Sequence, residues 1–176
     1  MRLIGDETLR LLVFAECNTE KTLARLLFSD IKECKLKHRG GLTLTLRGLD
    51  ETVERESDNE YDLIGMICDL ERGTIMEVSV RKVLDKYFRN SDRNVVAGCD
   101  RGGIYLYKRG KLFAIVFDPN FEEALSCLSE DFHAFYDKYK SRVKRGKFQN
   151  KLVKAMLSDE VILKAVSIIR TMLIGG

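Results

Sequence analysis

The feature that most constrains this chain is a pair of short apolar runs, Leu11 to Ala15 and Tyr61 to Cys68, each of which ends in acid. Runs of this length bounded by turn residues read as strands buried on both faces, as in a parallel sheet. Glu16 follows the first run, and Asp69 and Glu71 follow the second. A helical period follows each. Leu23, Leu26, Leu27 and Ile31 recur behind Asn18 or Thr19 as N-cap, and Val80, Val83, Leu84 and Tyr87 recur behind Gly73. Two strand–turn–helix units predict an α/β fold with a mostly parallel sheet flanked by helices. In such sheets ligands bind beyond the carboxyl ends of the strands, where Glu16, Asp69 and Glu71 are expected to converge.

The rest of the chain extends this pattern. Cys34 to His38 alternates apolar with basic residues, and Gly40-Gly41 breaks the chain before a Thr/Leu-rich stretch, Leu42 to Leu46, so one or two strands are expected there. Leu49 to Ser57 suits a short surface helix closed by Ser57-Asp58-Asn59. Asn94 to Cys99 reads as a strand, and Gly103 to Phe117 as a β-hairpin turning at Lys108-Arg109-Gly110-Lys111. Phe121 to Tyr139 is mostly helical, Arg142 to Asn150 is a joint, and Ser158 caps a last helix carrying Val161, Ile162, Ala165, Ile168, Ile169 and Met172. Residues 1–120 therefore form the α/β core and 121–176 a helical C-terminal extension packed on it.

The 176 residues, 45% hydrophobic and 32% charged with one proline, describe a globular chain able to bury a normal core. No apolar run approaches the ~20 residues of a membrane helix, so no membrane partner is expected. Cys17, Cys34, Cys68, Cys99 and Cys127 form no C-x-x-C pair and are read as structural free thiols, which makes a reducing cytoplasm the natural compartment. His38 and His133 belong to no metal-ligand spacing, and no Ser/His/Asp order or phosphate-binding glycine loop is present.

Carboxylates gathered without cations repel one another, and a divalent ion removes the cost. Mg²⁺, with Mn²⁺ as substitute, prefers oxygen ligands and leaves room for a phosphate oxygen, which matches phosphoryl transfer. Acids after strands also serve as helix caps and turn formers. Asp118, after Leu112 to Phe117, is a rival acid that Pro119-Asn120 explains equally well as a turn.

The segments L-L-V-F-A-E-C-N-T-E-K-T-L and Y-D-L-I-G-M-I-C-D-L-E-R-G resemble the Toprim domain of topoisomerases, bacterial-type primases, overcoming-lysogenization-defect nucleases and small recombination-mediator proteins. In that family the first strand ends in glutamate and a later one in Asp-x-Asp that binds Mg²⁺. The resemblance implies Glu16, Asp69 and Glu71 as metal ligands and catalytic residues of a Toprim-like core, and a nuclease or related phosphodiester chemistry on DNA or RNA. Cys17 stands where glycine is usual, Glu71 is one methylene longer than the family's second Asp, and Gly73 comes one position early.

Lys138, Lys140, Arg142, Lys144, Arg145 and Lys147, followed by Lys151 and Lys154, run without an intervening acid and are interleaved with Tyr139 and Phe148. Such a stretch suits a nucleic-acid backbone, and equally a solvated helix face. Arg101, Lys108, Arg109 and Lys111 crowd the hairpin, where they either stabilise phosphate charge or blunt an edge. Two further readings stay open: a non-catalytic nucleic-acid-binding or protein-interaction module, and self-association as a homo-oligomer through the apolar C-terminal helix.

Overall fold

A computed structural model describes residues 8–38, 40–55, 60–142 and 146–175. Six strands form one sheet: β1 (Arg10–Ala15), β2 (Glu33–His38), β3 (Leu63–Asp69), β4 (Arg93–Cys99), β5 (Gly102–Arg109) and β6 (Leu112–Asp118), in the order β2-β1-β3-β6-β5-β4. The first three and β6 are mutually parallel. β5 and β4 add an antiparallel margin, with β5 and β6 joined through Gly110-Lys111. Gly110 takes φ +57°, which its lack of Cβ permits.

Strand alternation divides the core. Leu11, Val13, Ile67, Phe113, Ile115 and Phe117 face one side, which α1 (Asn18–Leu27) covers. Helices α4 (Phe121–Leu128), α5 (Glu130–Tyr139), α6 (Gly146–Leu157) and α7 (Glu160–Ile174) complete that layer and share its core through Leu125, Phe132, Met156 and Ile169. Leu12, Phe14, Met66 and Val116 face the other side, beneath α2 (Leu42–Arg55) and α3 (Ile75–Tyr87). The face of α7 formed by Ile162, Ala165, Val166, Ile169 and Leu173 is thus buried against its own chain. Among the described residues no helix is long and apolar enough to cross a membrane.

Five expectations are corrected. The N-cap of α1 is Cys17, and Asn18 and Thr19 are its first two residues. The joint expected over 142–150 is helical from Gly146 onward, as the start of α6. The Leu/Thr alternation at 42–46 is not a strand but the start of α2. Leu42, Thr45, Leu46 and Leu49 are buried at helical spacing, while Leu44, which a strand would share with Leu42 and Leu46, is 42% exposed. The proposed closure Ser57-Asp58-Asn59 lies outside the described residues. Ser158 does not cap α7: its hydroxyl donates to the Lys154 and Ala155 carbonyls at the end of α6, while the Asp159 carboxylate accepts the Val161 and Ile162 N–H groups at 3.0 and 3.1 Å. Nor are all five cysteines free. Cys99 at the end of β4 is bonded to Cys127 on α4, 28 residues away, because the sheet margin folds against that helix.

Gly65 shows how tightly the sheet is closed. It pairs with Phe113 across β3 and β6, and a Cβ built on it would lie 2.5 Å from three carbons of the buried Phe113 ring. Gly65→Ala should therefore destabilise the protein by about 2 kcal/mol through overpacking, with part of the loss recovered in Gly65→Ala/Phe113→Leu. Chemical denaturation of the four members of this cycle measures both effects.

Candidate metal centre

From β1 the chain moves outward through α1 to β2, then returns through α2 to β3 on the other flank of β1. The two progressions part between β1 and β3, where an open α/β sheet leaves a crevice at the carboxyl ends of its strands. Register fixes what lies there. Ala15 is opposite Ile67, so the acids one and two residues farther on meet at the crevice.

Backbone bonds set the acids in place. The Glu16 N–H donates to the Ile67 carbonyl at 3.2 Å, and one Glu16 carboxylate oxygen accepts the Asp69 N–H at 2.9 Å. One Asp69 oxygen accepts the N–H of Phe121, the first residue of α4, at 2.8 Å. These two acids therefore do serve as strand and helix braces. Each brace uses one oxygen, and the second has no hydrogen bond to a described residue.

The third member is Glu20, in the first turn of α1 and only 1% exposed. One oxygen of each of Glu16, Glu20 and Asp69 lies within 4.8 Å of the others. Mg²⁺ binds oxygen at ~2.0–2.1 Å and Ca²⁺ at ~2.3–2.6 Å, so oxygens gathered within this limit can share one divalent ion directly or through a water. Three hard oxygen donors fit a divalent cation.

Glu71 is placed differently from the expectation. Its N–H donates to the Pro119 carbonyl at 2.8 Å, and the residue takes φ +56° at the turn after β3, with its own carbonyl accepting from Thr74. It lines the same cleft as the three acids but lies outside their group of shared oxygens. Glu20 was missed because it sits inside a helical period instead of at a strand end. Its signal was its place three residues after the N-cap Cys17, where glutamates turn back toward the helix start. It accepts a hydrogen bond from the Cys17 thiol.

The cleft has a volume of 410 Å³, and Glu122 and Glu123 of α4 add to its acidity. Among the described residues no Lys, Arg or His lines it. Burial pushes Glu16 up to about 7, with repulsion from Glu20 and Glu71 adding and the hydrogen bond from Asp69 opposing. Burial pushes Asp69 up to about 10, reinforced by Glu20 and Glu16, and also raises Glu20. The site resists holding its charge without a counterion.

Asp118 does not join this group. It ends β6, 5% exposed, and is ion-paired with Arg72 instead. Lys108, Arg109 and Lys111 lie at the opposite edge of the sheet from the acids, beside the start of β6, and Lys108 donates to the Met172 and Leu173 carbonyls at the end of α7. Only Arg101 of that cluster is at the acidic edge, near the end of β6. In the basic segment, Lys138 lies over the Tyr139 ring, Arg142 over Phe148, and Lys140 pairs with Asp137 at 2.9 Å. Lys144 and Arg145 lie outside the described residues, as does the side chain of Lys147. The segment borders the cleft through Tyr136 and Gln149. Compared with protein-family models, curated proteins and solved structures, the chain matches none.

A folded-state pKa above the unfolded one means that Glu16 costs stability as pH rises from about 4.5 through about 7, with the full cost present above that. In EDTA, Glu16→Gln should raise stability on the order of 2 kcal/mol at pH 8 and little at pH 5, because at pH 8 the buried carboxylate has to be held ionised and the amide does not. Mn²⁺ should stabilise the wild-type protein more at pH 8 than at pH 5. Its affinity should fall in Glu20→Gln as much as in Glu16→Gln and less in Glu71→Gln. Thermal melts and calorimetric titration measure these quantities.

Proposed function

We propose that the chain carries out Mg²⁺-dependent phosphodiester chemistry on DNA or RNA, as a nuclease or a related phosphoryl-transfer protein with a Toprim-like acidic site. The observation that carries the proposal is the meeting of Glu16, Glu20 and Asp69 at the sheet's switch point, in a cleft with no lining cation among the described residues. The order of Glu16 and Asp69 along two parallel strands agrees with the Toprim resemblance, and Glu20 extends the donor set. A bound Mg²⁺ supplies Lewis-acid polarisation of a phosphoryl oxygen.

The protein's own groups divide the remaining work. Asn120 and Gln149 offer amide donors to phosphate oxygens at the cleft wall, and Tyr136 offers a hydroxyl. Glu71, in the same cleft but outside the three shared oxygens, is placed to take a proton from the attacking water. Lys138 and Arg142, over the Tyr139 and Phe148 rings, add positive charge to the helical layer that also supplies Tyr136 and Gln149 to the cleft, which favours a polyanionic strand. Nucleic acid as substrate favours a cytoplasmic location, as do the three free thiols Cys17, Cys34 and Cys68, whereas the Cys99–Cys127 disulfide is uncommon in a reducing compartment and counts against it.

Single-turnover cleavage of labelled single- and double-stranded DNA and RNA, with Mg²⁺ or Mn²⁺, tests the assignment. Glu16→Gln and Asp69→Asn should abolish metal-dependent cleavage. Glu71→Gln should slow it about 10²–10⁴-fold, the range for losing a general base, with metal affinity largely kept. Full activity in Glu16→Gln and Asp69→Asn would overturn the proposal. Salt-sensitive binding without cleavage, indifferent to metal, would favour a non-catalytic module instead.

A further inference from the structure

We infer that a second pocket beside the acidic cleft receives one unstacked nucleobase of a single-stranded nucleic acid, an inference that rests on the phosphodiester reading of the cleft. The pocket has a volume of 240 Å³ and lies between the β4–β5 turn, the end of β6 and the exposed sides of α4 and α5. It shares Glu123 and Tyr136 with the acidic cleft. A strand with one phosphate at the acids can therefore place a neighbouring base here by turning at Tyr136.

The chemistry of the walls identifies the occupant. Arg101 and Lys140 face Glu123 and Asp137, so the charge is balanced. A phosphate pocket would be one-signed. A base instead presents a flat apolar ring edged with donors and acceptors, and Tyr136 and Pro119 supply apolar surface for that ring. Unstacked bases rest on aromatic rings and on guanidinium planes, and their edges are read by side-chain hydrogen bonds. Both acids have local partners: Asp137 is paired with Lys140 at 2.9 Å, and Glu123 accepts from the Asn120 amide at 3.1 Å.

Arg101 is the part that the fold does not account for. Its guanidinium makes no hydrogen bond or ion pair with a described residue, yet its backbone is fastened from several directions. The Arg101 carbonyl accepts from the Arg72 guanidinium at 3.4 Å, and its N–H donates to Cys99 Sγ at 3.4 Å. Cys99 in turn is bonded to Cys127 of α4, and Arg72 is held by Asp118. The turn that carries this cation is already fixed, so a ligand has to order only the Arg101 side chain and not its backbone. Duplex bases are already stacked and paired, so a pocket of this kind selects single strands.

Fluorescence anisotropy of the full chain in EDTA, with a short labelled single strand or its duplex, tests the assignment. The single strand should bind at least ~10-fold more tightly than the duplex, the scale of one base–aromatic contact, and Arg101→Ala should remove most of that difference. A photoreactive thio-substituted base in the single strand should crosslink to the α5 peptide that contains Tyr136, which gives a readout independent of any variant. Equal affinity for the two forms, unchanged by Arg101→Ala, would overturn the inference, even if metal-dependent cleavage stands. Free mononucleotide competing as effectively as the strand would also overturn it. Glu16→Gln and Asp69→Asn should keep the single-strand preference while losing cleavage, so failure of the cleft chemistry and failure of the pocket are distinguishable.

Discussion

Mutual repulsion among buried carboxylates at the joint of β1 and β3 is the constraint on which the rest of this structure depends. Glu16 and Asp69 are drawn together by the register of two fully buried strands, and Glu20 is carried in by the first turn of α1. Backbone donors satisfy one oxygen each of Glu16 and Asp69, yet burial still pushes both acids far above their usual range. Removing such groups from water is costly unless they take up protons or a cation. A chain that needed only braces here could use neutral amides. Ionisable groups are the costlier choice for a brace alone.

The two faces of the sheet carry different loads. The α2–α3 side is a plain hydrophobic layer, closed where Gly48 lets the Phe14 ring approach within 2.6 Å of its would-be Cβ. The other side continues from α1 into α4–α7, and it is this layer that supplies the walls of both clefts. The C-terminal helices thus complete the core and frame the site, to which they bring Glu122 and Glu123 of α4, Tyr136 of α5 and Gln149 of α6. Lys151 lies over both Tyr139 and Phe148, a cation–π contact that keeps its charge.

Most of the architecture was legible from apolar runs, because strands buried on both faces leave an unbroken signature and their ends are sharply marked. Glu16 and Asp69 were visible for that reason. Glu20 was not, since an acid inside a helical period looks like a solvated position until the packing of α1 buries it. The Leu42–Leu46 segment misled because a two-residue alternation of Leu and Thr also satisfies a helical face when Leu44 points outward. The Cys99–Cys127 pair depends on how the end of β4 packs against α4, which no local spacing encodes.

Anomalous diffraction from crystals soaked in Mn²⁺ measures the central claim most directly. One dominant peak coordinated by Glu16, Glu20 and Asp69 is expected, lost in Glu16→Gln crystals. A peak elsewhere, or no anomalous density at this joint in millimolar Mn²⁺ at neutral pH, would contradict it.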